Sequence, residues 1–115
     1  MDRFRAIDAT TLPWTPHRAF PGVHVRSVQG PETSAQLEVR WLRIAPGAQI
    51  LSHSHEKSSE TFFVLAGEGA FDLEGVSTAC HAGCCGFAEH GATHGIRNSG
   101  QGNLELLAIF TPPLG

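Results

Sequence analysis

A chain of 115 residues supports one domain with one core. Its formal charge is −3, with only 8 Lys+Arg scattered from Arg3 to Arg97, so there is no basic stripe to neutralise a phosphate backbone and nucleic acid is not an expected partner. The longest apolar runs, TFFVLA and LELLAIF, fall far short of the roughly 20 residues of a membrane span, and the start MDRFRAIDATTLPW lacks the apolar segment of a secretion signal; no membrane association and a cytoplasmic location are expected.

In chain order, residues 1–22 read as an irregular arm. Pro13, Pro16 and Pro21 surround Trp14, whose indole is expected to pack across the fold. Candidate strands follow at 23–28 (VHVRSV), 37–44 (LEVRWLRI), 49–55 (QILSHSH), 61–73 (TFFVLAGEGAFDL, with a turn at GEG), 76–80, 85–88, 94–98 and 104–110. Thirteen Gly and seven Pro punctuate the chain, and no apolar repeat at helical spacing is found. Eight short strands predict an all-β domain over 23–111, a small antiparallel sandwich or barrel without exposed edges, followed by a tail at 112–115. Cys80, Cys84 and Cys85 fit neither a metal knuckle nor a disulfide framework and read as free thiols acting as small apolar residues.

The stretch HSHEKSSE at 53–60 carries the chemistry. In a strand the side chains of i and i+2 share a face, so His53 and His55 project together at roughly 6.6 Å along the chain. The loop EKSS would then return the chain antiparallel, placing Glu60 in phase with Phe62 and Val64, and so toward the interior. A carboxylate there is costly unless paired or metal-bound. His94 shares parity with Ile96 on a separate strand. Three imidazoles and one carboxylate make a ligand set for a divalent first-row metal with coordination positions left open, which marks a catalytic rather than a closed structural site. His17, His24, His81 and His90 read as ordinary polar residues.

These residues resemble the cupin family. Its first motif has a glycine, five residues, His-x-His, a short gap, Glu, six residues and a glycine, and GAQILSHSHEKSSETFFVLAG matches from Gly47 through His53, His55 and Glu60 to Gly67. The second motif is met by GCCGFAEHGATHGIRN from Gly83 through Gly91 and His94 to Asn98, with Glu89 where the family usually has proline. The departure bears on the rigidity of the turn before His94, since proline fixes φ and glutamate does not. The resemblance implies an antiparallel jelly-roll β-barrel, one Mn, Fe, Ni, Co, Cu or Zn per chain, and a homodimer.

Among cupin chemistries, the absence of Tyr excludes a phenol general acid, and Glu60 argues against the all-histidine iron site of thiol dioxygenases. The expectation is a metal-dependent enzyme on a small oxygenated or enolisable molecule, foremost a dioxygenase of the three-His, one-Glu type, with Glu60 also serving as general base. Isomerase, decarboxylase, cyclase and non-catalytic ligand-sensing roles are the alternatives. The expected pocket wall is apolar, namely Phe62, Val64, Ile96, Leu106 and Phe110 with Trp41 or Arg43 according to strand phase, and suits a moderately apolar ligand. Arg40 or Arg43 would clamp a carboxylate if inward, although alternation along that strand favours outward arginines.

Overall fold

The computed structural model describes residues 4–114; residues 1–3 of the expected arm and Gly115 of the expected tail lie outside the described residues. The described residues form an all-β jelly roll of two antiparallel sheets. Strands β1 (Thr15–Pro16), β2 (Val23–Gln29), β3 (Glu38–Ile44), β4 (Gln49–His53), β5 (Ser59–Ala66), β6 (Glu68–Leu73), β7 (Val76–His81), β8 (Cys85–Ala88), β9 (His94–Asn98) and β10 (Leu104–Thr111) follow one another, with one 3-10 turn at Ala9–Thr11. The larger sheet runs β1-β2-β3-β10-β5-β8 and the smaller β4-β9-β6-β7. No helix among the described residues is long and apolar enough to cross a membrane.

Period-two alternation builds each sheet. In β5 Glu60, Phe62 and Val64 point inward while Phe63 and Leu65 face out, and in β10 Leu104, Leu106, Ala108 and Phe110 are all buried. With Val23, Leu42 and Ile44 from the larger sheet and Ile50, Phe71 and Ile96 from the smaller, they form one core between the layers. Each fully buried aliphatic side chain there contributes up to about 1.5–3 kcal/mol from area removed from water.

Three local expectations change. GEG is not a hairpin turn: β5 and β6 belong to different sheets, and Gly67 at φ +90° carries the chain between them. A Cβ at Gly67 would lie 2.5 Å from the Asn103 carbonyl oxygen, so no other residue fits that passage. Likewise the loop after β4 does not fold back beside it, because β4 and β5 also lie in opposite sheets. The arm is not wholly irregular, since β1 pairs with β2 through Thr15↔Val25.

The arm packs on the outer face of the larger sheet, as its tryptophan suggests. Trp14 meets Trp41 edge-on at 6.0 Å, and the Arg26 guanidinium sits 4.1 Å from the Trp14 ring and 4.8 Å from the Trp41 ring. Arg26 also donates from Nε to the Leu12 carbonyl and from an η nitrogen to that of Thr10, which ties the arm down. The cysteines are free thiols, but only Cys80 is a buried apolar group; Cys84 is half-buried and Cys85 is exposed on β8.

Candidate metal centre

Strand pairing assembles four side chains from three strands and a loop. His53 ends β4 and lies directly opposite His94, the first residue of β9. Glu60 is the second residue of β5, opposite Phe110 and Ala88. His55 lies beyond the end of β4 rather than within it, so it joins the others through the loop and not through strict strand parity. One donor atom from each of His53, His55, Glu60 and His94 lies within 4.8 Å of every other. Two donors on opposite sides of an ion bound at about 2.1 Å would be about 4.2 Å apart, so small side-chain rotations close the cluster on one metal.

The hydrogen bonds orient the ligand atoms outward from the backbone. His53 donates from Nδ1 to the Leu51 carbonyl at 2.8 Å and His94 from Nδ1 to that of Ala92 at 3.0 Å, which turns both Nε2 atoms toward the cluster. His94 Nε2 lies 2.9 Å from Glu60 Oε1, and His55 Nε2 lies 3.3 Å from the same oxygen. His55 Nε2 is nonetheless buried without an aligned hydrogen-bond partner. A buried imidazole nitrogen left unpaired is a defect in a metal-free core and a ready ligand for a divalent ion.

Charge follows the same geometry. Burial raises the Glu60 carboxyl, but the His55 and His94 imidazoles outweigh it and hold the group below its ordinary value. Burial alone would lower His94, yet its bonds to Glu60 and the Ala92 carbonyl raise it above the ordinary imidazole value. The His94–Glu60 contact thus favours the charged form of both partners, with His94 Nε2 directed at the carboxylate where a cation would also sit. Burial lowers His53, which favours the neutral form that metal binding requires.

The turn before His94 does without the motif proline. Gly91 adopts φ +84°, its N–H donates to the His55 carbonyl at 2.7 Å, and the Ala92 N–H donates to that of Glu89 at 3.0 Å. The second-motif Asn98 is structural: buried, it donates to the Ile44 and Gly102 carbonyls at 2.9 and 2.8 Å and accepts from the Gly100 N–H.

A cavity of about 60 Å³ opens over the cluster. Of the expected wall, Phe62, Ile96, Leu106 and Phe110 line it. Val64 does not, lying fully buried deeper in the core. Trp41 and Arg43 are also absent from the wall, because β3 turns Leu42 and Ile44 inward and puts these two on the outer face. There Trp41 donates to Glu105 and the Arg43 guanidinium covers the Trp14 ring at 4.4 Å. Arg40, in phase with Leu42, faces the cavity instead. Sequence reasoning also missed His17, Phe20 and Leu114. They come from the two chain ends, and no periodicity signals which arm residue reaches the mouth.

The cupin-domain family model matches residues 40–110. The chain belongs to the cupin family, and its four clustered side chains are placed where they could hold a metal ion. It is 34% identical over 87 residues, 76% of this chain and 71% of the relative, to a Thermotoga maritima protein described as an oxalate-binding protein. Its fold is similar to the crystal structure of a predicted oxalate decarboxylase from Thermotoga maritima, with a TM-score of 0.87 at 24% identity over 94% of this chain and 99% of that one. It is also similar to the polyketide cyclase RemF from Streptomyces resistomycificus, with a TM-score of 0.83 at 17% identity over 94% of this chain and 79% of that one.

Proposed function

We propose that this cupin holds one divalent transition metal on His53, His55, Glu60 and His94 and uses it to bind and turn over a small carboxylate of the oxalate class. The observation that carries the reading is the convergence of three imidazoles and one carboxylate in one small cavity, with room beside a bound ion for a few ligand atoms; Arg40 lines the same cavity. The 34% identical relative described as oxalate-binding supports the same ligand class.

Size argues in the same direction. At about 10–15 Å³ per water site, the cavity takes roughly four to six sites, enough for an ion and a few ligand atoms. A large ring system of the kind an apolar wall would suit has to extend out through the mouth. When bound, the ion supplies Lewis acidity to carboxylate or enolate oxygens. The chain's residues do the rest: Phe62, Leu106 and Phe110 keep water from the inner side, while the Leu51 and Ala92 carbonyls hold two imidazoles in orientation.

Glu60 is a ligand in this reading. Its lowered carboxyl and its two imidazole neighbours make it a weak base, so the general-base role requires it to leave both partners. Oxalate has no bond into which both oxygen atoms can be inserted, so the oxidative form of the proposal is an oxidase rather than the expected dioxygenase: oxalate loses two electrons to give two CO2, and O2 is reduced to hydrogen peroxide. Oxygen uptake on adding oxalate to protein loaded with iron or manganese tests it, and CO2 release without oxygen uptake identifies the decarboxylase form. Loss of oxalate binding on metal chelation is expected; binding that survives chelation would overturn the reading.

We also infer a homodimer. Strand β8 is an edge strand of the larger sheet, and Phe87 on it is 60% exposed beside exposed Phe63 and Leu65 on β5. An open strand edge beside an apolar face is matched by the same edge of a second copy related by a twofold axis.

A further inference from the structure

The metal cavity has a neighbour on the arm side. A cleft of about 340 Å³ is lined by Thr15, Pro16, His17, Arg18, Val25 and Arg40, and it shares His17 and Arg40 with the metal cavity. These two side chains are the wall between the rooms. The outer room is formed where the arm crosses the β1–β2 edge of the larger sheet, and the inner one contains the ligand cluster.

Both wall residues are held in place from behind. His17 Nδ1 accepts the Ala19 N–H at 3.0 Å, so the ring proton is on Nε2, which is left as a donor. Its ring packs on Phe20 at 4.8 Å, and Phe20 packs on His53 at 5.9 Å. Arg40 uses Nε on Glu38 Oε2 at 2.7 Å, and its guanidinium lies 5.2 Å from the Phe110 ring. Glu38 is buried and accepts the Leu114 N–H at 2.8 Å, so the carboxylate that anchors Arg40 is itself fixed by the chain's end. The η nitrogens of Arg40 provide four further N–H donors in a planar fork that suits a carboxylate.

The outer cleft is cationic, although Glu38 pairs with Arg40 from behind that cleft's wall. Its lining holds two arginines and no carboxylate, in a chain whose formal charge is −3. A concave wall of one sign focuses the field and raises the local concentration of an anion.

We propose that the outer cleft is the entrance for a small organic anion, and that His17 and Arg40 are the specificity wall through which its carboxylate is admitted and held. This rests on the metal-carboxylate reading above. Arg18 attracts the anion at the cleft, and the Arg40 fork and the His17 Nε2–H bind the carboxylate oxygens on the cavity side. A neutral isostere still accepts hydrogen bonds but lacks the charge that both arginines attract.

The test uses the full chain loaded with Mn2+, with oxalate and its neutral diamide, oxamide, as probes in titration calorimetry and stopped-flow mixing. In Arg40→Gln, oxalate affinity is expected to fall about 10- to 100-fold, the range for losing charge-assisted hydrogen bonds, while metal content stays at the wild-type level. Arg40→Lys keeps the charge and the contact with Glu38 but loses the fork, and recovers only part of the affinity. It also serves if the glutamine variant, having lost the ion pair with Glu38, fails to fold. His17→Phe keeps the packing on Phe20, removes the donor and weakens oxalate several-fold. Arg18→Gln slows oxalate association and flattens its salt dependence with little change in dissociation. Oxamide binding is expected to be weak and much less sensitive than oxalate binding to the arginine changes. Oxalate affinities within twofold of wild type in both Arg40 variants and in His17→Phe, with metal bound, would overturn the specificity wall and leave the metal-carboxylate reading standing. A wild-type Mn2+ protein that binds no oxalate would overturn both.

Discussion

Asn98 illustrates how much of a motif serves the scaffold. Its amide donates to the carbonyls of Ile44 and Gly102 and accepts from Gly100, tying β3, β9 and the turn before β10 together from a buried position. Asn98→Ala leaves two carbonyls without that donor and is expected to cost about 2–3 kcal/mol in denaturant unfolding; a loss below about half a kcal/mol would contradict its structural role. The ligand residues give a pH signature instead. His53 is lowered, so its contribution is complete above the ordinary imidazole value and is lost as pH falls toward the lowered one. Glu60, also lowered, adds a further loss at more acid pH, as its carboxylate is protonated on falling through its lowered value. His94 is raised, so its contribution is complete below the ordinary value and is lost as pH rises through the raised one. Metal-free protein is therefore expected to be most stable near neutrality. Loading with metal replaces the His94 proton and removes the alkaline decline. Superimposable melting curves against pH with and without metal would contradict this arrangement.

At the scale of elements, the β4–β9 pair sets the distance between His53 and His94. Gly95 makes the close pairing possible, since a Cβ there would lie 2.6 Å from the Ile50 carbonyl oxygen and 3.0 Å from the Ser52 nitrogen. Gly95→Ala has to push β4 away and separate the facing histidines, so melting temperature and metal affinity should fall together; wild-type metal affinity in a variant that melts early would show that the strands move without the ligands. Apart from β1, which lies in the expected irregular arm, and the division of 61–73 between two sheets, the strands were legible in sequence to within a residue or two, because inward and outward residues alternate cleanly in β5 and β10. Which way β3 faces was not. Arg40, Trp41 and Arg43 are all half-buried amphipathic side chains, and pattern alone does not show that the arm covers Trp41 and Arg43 while Arg40 turns to the cavity. The cluster of four side chains was readable although His55 lies outside its strand, because loop length and the phase of Glu60 bring the same four groups together.

For the whole molecule, the sheet assignment was the hidden quantity. Periodicity tells which face of a strand is buried but not which of two layers the strand joins, so the crossings after His53 and at Gly67 emerge only in three dimensions. His17 was equally out of reach, since its place at the cavity mouth depends on where a proline-rich arm lands. The proposed twofold contact has its own test: Phe87→Arg puts a charge in the middle of the apolar edge and is expected to give monomers in sedimentation, whereas a wild-type protein already monomeric at high concentration would remove the homodimer. Binding of metal to the folded state alone should raise the melting temperature with metal concentration. The measurement that bears most directly on the account is the metal content of the untagged protein, determined by plasma mass spectrometry beside a His94→Ala variant of confirmed fold. The account predicts close to one divalent transition metal per chain in the wild type and a large loss in the variant. A wild-type protein that carries no metal as purified and takes up none on incubation with manganese, iron, cobalt, nickel, copper or zinc would contradict it.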